Sequence, residues 1–381
     1  MIIRVTIFSL LLWLAWAGAA LAQSPVITVT ITSADTAPGE FFLTPAGSPF
    51  RFASTRTAVL INNHGTVTWQ QEHEWIDFKR QLNFYTVIDL VNARALAMDG
   101  RFSVVDEWQA VGYNIDVHEF QLLPNGDVWY LIYNPRAPTP AEISAGVAPT
   151  ATVISSMVQA QDAEKNVFFE WTDLDHLPIT GTLIADLGES FVDAYHANSI
   201  DFDFDGHVLV SFRNSCSVVK INRFTGAVIW RLGGIDSDFT GNVNFCTQHD
   251  FRPATLSRFS NNLEQAYYTV FDNTGARGLK IELNQVSMVA TETMAYTNNL
   301  PIYAFATGST QELENGNVLV SWGTNPNLGP DFGEPVSRVA FTEFTADGRK
   351  AFEAEIGSYD FSYRVYKFKP LSIYWLPALW K

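Results

Sequence analysis

The sequence is short of charge, of cysteine and of helical periodicity, and each shortage closes off a class of protein. Only 17% of its 381 residues are charged against 47% hydrophobic, a balance that excludes intrinsic disorder and requires a large buried core. Positive charge is the scarcer sign: 24 Lys and Arg face 40 Asp and Glu, for a formal net charge of −16. Such a surface repels phosphate backbones, so no nucleic acid is expected as a partner, and any anion must be held by a local group of donors. Two cysteines, Cys216 and Cys246, are present; in an oxidising compartment they predict one disulfide, although two buried free thiols fit the count equally well. No Asn-x-Ser/Thr acceptor occurs, which favours a bacterial envelope over a eukaryotic secretory route. No Pro/Ser/Gly-rich linker or charge run divides the chain, so one main domain is expected.

The long apolar run stands at the amino terminus. Met1 to Arg4 carries one positive charge and precedes VTIFSLLLWLAWAGAALA, which ends in Ala20-Leu21-Ala22 before Gln23. A charged start, an apolar middle and a small-residue end describe an export signal over residues 1–22, and with it a periplasmic or secreted protein. The rival reading, a single-pass anchor, lacks the length and the flanking cluster of positive charge. The aromatic tail SYRVYKFKPLSIYWLPALWK is broken by prolines and lysines. It reads as a strand that closes the fold plus an extension, so no stable membrane association is expected.

Between these ends the chain is a succession of short runs rich in Val, Ile, Phe, Tyr and Thr, separated by turn signals such as Asn125-Gly126, Asp205-Gly206, Asn315-Gly316 and Asp347-Gly348. This is the pattern of an all-β protein. A unit recurs in which a polar residue leads a strand, an Asp/Asn-Gly turn follows, and a hydrophobic strand ends in Ser or Tyr. It appears as HEFQLLPNGDVWYLIYN from His118, HANSIDFDFDGHVLVSFRN from His196 and STQELENGNVLVSWGTN from Ser309. Diverged repeats of this size signal a β-propeller, and six blades fit the length. The stretch RAPTPAEISAGVAPTATVISS interrupts the pattern as a Pro/Ala-rich loop with room for a short helix.

His118 and His196 each open the first strand of a unit, and His249 does so in QHDFRP. First strands line the central channel of a propeller, so the three imidazoles are expected to converge in one funnel. A single histidine is more often a core or capping residue bonded to backbone; recurrence at one phase of the repeat is what favours a shared site. Asn198 shares the strand face of His196 two residues on, and Arg213 ends a strand of the same unit. Arg presents planar donors suited to a tetrahedral oxyanion and Asn adds a neutral donor, so an anion site is expected. Two metal readings are set aside. Asp201, Asp203, Asp205 and Gly206 imitate a calcium loop, but Phe212 stands where the bidentate Glu is needed. Zinc on the three histidines has no short-range ligand pair behind it and has an Arg beside it.

The segments GEFFLTP from Gly39, AVLINNHGTVTW, DVHEFQLLPNGDVWYL from Asp116, DAYHANSIDFDFDGHVLVSFR from Asp193, INRFTGAVIWRLGG from Ile221, TQHDFRP from Thr247 and VFDN from Val270 resemble, in order, the successive blocks of arylsulfotransferases. The resemblance implies a six-bladed β-propeller with a short N-terminal β extension: behind the export signal of residues 1–22 come a β segment over 23–50 and the propeller over 51–381. It implies an enzyme that moves a sulfuryl group from an aryl sulfate to a phenol through a transiently sulfated histidine, with no cofactor. The sulfated residue falls on His249, the His-x-Asn pair on His196 and Asn198, the basic residue on Arg213 and the earlier histidine on His118. Family members often carry a larger N-terminal β-domain used in dimerisation, so no oligomeric state carries over to this chain. Propellers also serve as binding modules and hydrolases, which leaves a non-catalytic anion- or ligand-binding propeller and an aryl sulfate hydrolase as alternatives.

Overall fold

The computed structural model describes residues 25–46, 56–255, 262–323, 338–357 and 361–371. The expected export signal lies outside the described residues, as does the tail beyond Leu371. The described residues form six sheets of four or five strands, antiparallel except where the short strands Phe191–Asp193 and Thr240–Gly241 add in parallel, arranged as the blades of a six-bladed β-propeller. Blade I joins a late strand to early ones: Phe361–Phe368 is innermost and pairs antiparallel with Glu40–Ala46, followed by Thr57–Ile61 and Val67–Glu72. Blades II to VI follow chain order, with inner strands Trp75–Gln81, Phe120–Leu122, Ala197–Phe202, His249–Pro253 and Ser309–Glu312. Ile27–Thr32 adds a fifth strand to the outer edge of blade VI against Lys350–Ile356. The N-terminal β segment thus supplies one strand to the last blade and one to the first.

Local chemistry explains these strands. Val208–Phe212 (VLVSF) and Ser217–Ile221 (SVVKI) are buried at every position, because neighbouring blades cover both faces of a middle strand; there the sequence runs apolar without alternating. Outer strands face water on one side and alternate, as Val67–Glu72 does. Gly126, Gly206, Gly316 and Gly348 each donate a backbone N–H to the carbonyl three residues back, at 2.8–3.0 Å, closing the expected turns. The loop before Thr152–Gln161 contains the helix Pro140–Ser144, whose capping box joins Thr139 to Glu142. Among the described residues no helix is long and apolar enough to cross a membrane. Asp203 and Asp205 of the calcium-like run both accept from Lys220 Nζ at 2.6 Å, so their carboxylates hold a side-chain cation of the fold.

Inside the ring, the inner strands share a buried ionic network. The registers of blades II and V shift between Ile76 and Lys79 and between His249 and Arg252, with Asp77 and Asp250 at φ of 54° and 60°, a bulge conformation that re-aims side chains. Lys79 bonds Glu119 and, at 2.6 Å, Asp77. Arg364 Nη1 reaches Asp77 at 2.9 Å and Glu119 at 3.0 Å, while its Nη2 donates to the Asn198 carbonyl at 2.6 Å. Arg252 bonds Glu119 and, at 2.7 Å, Asp250, which also accepts from Tyr366 Oη at 2.6 Å. The network therefore ties blades I to V together one residue past the histidines of HEF and QHD.

Candidate functional site

The five residues singled out from sequence meet at one end of the channel. His118 stands two residues before Phe120–Leu122, His196 immediately before Ala197–Phe202, and His249 opens its own strand. Arg213 follows Val208–Phe212, and its backbone N–H donates to the His196 carbonyl at 3.0 Å, so the hairpin of blade IV sets the two side by side. The rings of His118 and His196 lie 5.0 Å apart, edge to face. Charge on His118, Arg213 and His196 acts on His249. Asn198 is placed differently: it is 0% exposed, and its Nδ2 donates to the Gln248 carbonyl at 2.6 Å, the peptide just before His249.

Each imidazole has a fixed partner on Nδ1. His118 Nδ1 is bonded to Asp116, and His196 Nδ1 meets Asp193 Oδ2 at 2.5 Å. Tyr133 lies against both rings, stacked on His118 at 5.3 Å and edge-on to His196 at 5.4 Å, with its hydroxyl donating to the Ala197 carbonyl at 2.7 Å. Burial lowers the pKa of His196 and raises that of Tyr133. His249 differs from its neighbours. The Thr307 N–H donates to Nε2 at 3.2 Å, so Nε2 carries the lone pair and Nδ1 the hydrogen, which goes to Asn273 Oδ1 at 2.8 Å. The Asn273 assignment is fixed in turn, since its Nδ2 donates to the carbonyls of Ala304 and Thr307 at 3.2 and 2.9 Å. His249 is 1% exposed. Burial holds it well below the usual imidazole range; the bond to Asn273 opposes that shift, and charge on His118, Arg213 and His196 adds to it. The site thus pairs a neutral imidazole with two carboxylate-backed ones.

Arg213 completes the cluster. Its guanidinium donates to Asn214 Oδ1 at 2.7 Å and to the Phe305 carbonyl at 3.4 Å, both neutral acceptors, and it sits 5.8 Å over the Phe305 ring. Phe305 and Tyr303 are more than half exposed and belong to the segment that ends at Thr307, so aromatic surface adjoins the cationic group. Two devices hold the Arg213 turn. Gly233 and Gly234 of the LGG run adopt φ of 77° and 71°; a Cβ there would stand 2.6 Å from the Cys216 carbonyl and 2.7 Å from that of Ser215, so the run lets an outer strand press on the turn. The disulfide Cys216–Cys246 joins the turn to the lead-in of His249 across 30 residues. Closing a loop of that length stabilises a fold by about 3–4 kcal/mol on the chain-entropy account. Cys216→Ser is accordingly expected to lower the unfolding free energy by about that amount in a denaturant titration; an unchanged midpoint would show that the crosslink contributes nothing.

Four site residues were not legible from the repeat: Asp116, Asp193, Tyr133 and Asn273. Three carried a local signal. Asp116-Val-His118 and Asp193-Ala-Tyr-His196 place a carboxylate within reach of the ring that follows, and Asn273 ends the VFDN block. Tyr133 and the Thr307 N–H had none, because their roles depend on how blade III meets IV and how V meets VI.

Comparison with known proteins bears on the fold and on the family. A structure of a protein of unknown function from Bacteroides caccae is similar at 11% identity, covering 87% of this chain and 99% of that one with a TM-score of 0.52. Virginiamycin B lyase from Staphylococcus aureus is similar at 8% identity over 92% of this chain and 90% of its own, TM-score 0.45. The Cps50 (Swd1) β-propeller domain from Myceliophteria thermophila is similar at 10% identity over 85% and 88%, TM-score 0.44. At such identities the likeness concerns the fold alone. No curated relative matches the sequence. The arylsulfotransferase (ASST) family pattern, in contrast, matches residues 91–330, a span that holds all of His118, His196, Asn198, Arg213, His249 and Asn273. Matched over well over half of its length, the chain belongs to the arylsulfotransferase family.

Proposed function

We propose that the protein transfers a sulfuryl group from an aryl sulfate to a phenol through a transient sulfohistidine on His249. The observation that carries this reading is the state of His249: buried, neutral, and held as the tautomer with its lone pair on Nε2. A nucleophile in a site full of donors must not be protonated, and burial beside cationic groups keeps it so.

In the first half-reaction Nε2 gives up its hydrogen bond from the Thr307 N–H, and its lone pair forms the N–S bond as the S–O(aryl) bond breaks. The bonding pair leaves on the phenolate oxygen, which takes a proton from the imidazolium of His118 or His196. The Asp116 and Asp193 carboxylates hold Nδ1 of the two rings, and on His196 the Asp193 carboxylate opposes the lowering by burial, which suits the acid role. Arg213 and His196 clamp the non-bridging oxygens, whose charge it is worth stabilising in a partly buried setting. Asn198 acts through the backbone it holds, keeping Gln248 and so His249 in place. In the second half-reaction an acceptor phenol returns its proton to the same base and attacks sulfur, and the N–S pair goes back to Nε2. Phe305 and Tyr303 offer surface on which an aryl ring can rest beside Arg213.

The test is to mix purified protein with a chromogenic aryl sulfate, with and without a phenol, and to weigh the intact protein after a rapid acid-free quench. Release of chromogen that depends on the phenol, with a sulfuryl adduct on the protein, is the expected outcome. Equal release without phenol would make the protein a hydrolase. No release and no adduct with any donor would leave a funnel that binds anions without transferring them.

A further inference from the structure

The three imidazoles of the funnel differ in what backs them. His118 and His196 are backed by carboxylates that stand two and three residues earlier in the chain. His249 is backed by the amide of Asn273, 24 residues away and just past the neighbouring strand Ala266–Asp272 of blade V. Asn273 is 4% exposed. Its side chain makes three bonds: Oδ1 takes the His249 Nδ1–H, and Nδ2 holds the carbonyls of Ala304 and Thr307. By fixing Thr307 it also fixes the N–H that faces Nε2.

We propose that Asn273 is the positioning residue that makes His249, and not His118 or His196, the group that takes the sulfuryl, by backing it with a neutral acceptor instead of a carboxylate. This rests on the sulfuryl-transfer reading above. A carboxylate stabilises a cationic ring by charge pairing, which favours proton uptake; an amide oxygen orients the ring without doing so. The same difference governs the covalent stage. When the Nε2 lone pair forms the N–S bond, the ring acquires a formal positive charge while Nδ1 keeps its hydrogen. With Asn273 beside it that charge has no counterion, so the N–S pair returns readily to Nε2 when the acceptor oxygen attacks sulfur. With a carboxylate there, the adduct would sit in a charge-paired well and the second half-reaction would slow. The negative charge of the sulfuryl oxygens belongs to the Arg213 side of the site, which leaves the Nδ1 side to be neutral.

Asn273→Asp tests this. It removes two donors to the 304–307 segment as well as adding charge, so the readouts are chosen to separate the two. In protein labelled with ¹⁵N-histidine, with His249 assigned by its loss in His249→Asn, the wild type is expected to show a pyrrole-type Nδ1 and a pyridine-type Nε2 that resists protonation. In Asn273→Asp the His249 titration should rise by about 1–3 pH units, the range for an opposite charge at contact, and the acid limb of kcat/KM should move with it. The sulfuryl adduct should then accumulate at least about tenfold in the presence of phenol, a slowing of breakdown equivalent to one decade. Asn273→Ala, which loses the same donors without gaining charge, should lower turnover without raising either the titration or the adduct. An Nε2–H tautomer in the wild type, or equal His249 titrations in the three proteins, would overturn the proposal. Shifted titrations with no adduct in any variant would support the positioning and sink the sulfohistidine reading instead.

Discussion

His249→Asn is expected to cut phenol-dependent release of an aryl group by about 10³-fold or more and to abolish the sulfuryl adduct, the scale of loss seen when a covalent nucleophile is removed and only binding and oxyanion stabilisation are left. The substitution is chosen to spare the fold. Asparagine keeps the two δ atoms of imidazole, so its amide nitrogen can still donate to Asn273 Oδ1, which accepts from Nδ1 at 2.8 Å in the parent, while Nε2 is gone. The variant should therefore unfold near the parent midpoint, and the loss should appear in kcat. His118→Asn and His196→Asn, by contrast, remove a proton carrier or clamp, for which about 10²–10⁴-fold is usual, and an adduct should still form from a donor with a good leaving group. Parallel kcat/KM, intact-mass and thermal-unfolding measurements on the three variants check this. Turnover within tenfold of the parent in His249→Asn would remove His249 from the chemistry.

The second large effect concerns stability. Glu119 accepts from Lys79, Arg252 and Arg364 at once and is 0% exposed. Glu119→Ala would leave the buried Lys79 and Arg364 and the part-buried Arg252 short of their shared anion, and removing one partner of a buried ionic group costs about 3–5 kcal/mol. That is a large share of the roughly 5–15 kcal/mol that holds a typical fold, so a low yield of folded protein is expected. Glu119→Gln keeps the shape and allows the pH dependence to be followed. Burial alone would raise the Glu119 pKa, but Arg252, Lys79 and Arg364 together bring it well below the carboxylate range. A depressed acid stabilises the fold above its unfolded pKa, and that contribution is lost as pH falls through the folded pKa. The stability gap between parent and Glu119→Gln should hence be widest above about pH 4.3 and narrow as the solution is acidified. A gap that stays constant across this range in denaturant titrations would mean that Glu119 acts through shape alone.

The legible and illegible parts of the molecule divide along one physical line. Turn chemistry and strand pattern are local, so the glycine turns at Gly126, Gly206 and Gly316 and the propeller they imply could be read from sequence. The phase of His118, His196 and His249 within the repeat was also local, and it located the funnel. What partners a side chain has across blades was not. Asn198 looked like an anion donor because it shares the face of His196 in a regular strand, but the register shift between Ala197 and Ser199 turns it toward the Gln248 carbonyl. The ionic network was missed for the same reason. Asp77, Glu119, Asp250 and Arg364 come from four different blades, and nothing in any one repeat announces that they meet.

Blade I takes its innermost strand from Phe361–Phe368 and its next from Glu40–Ala46, and this has a consequence in time. At a ribosomal pace of about 5–20 residues per second, the two partners are made roughly 15–65 s apart. Until the later one arrives, the edge of Glu40–Ala46 is an open template for other chains. Arg364 arrives on that same late strand, so over the same interval Asp77 and Glu119 have only Lys79 and Arg252 as counterions. Closure of this ring therefore waits for the strand Phe361–Phe368. A chain cut short before Phe361 would lack one inner strand, the arginine that reaches Asp77, Glu119 and the Asn198 carbonyl, and with them the floor on which the three histidines stand.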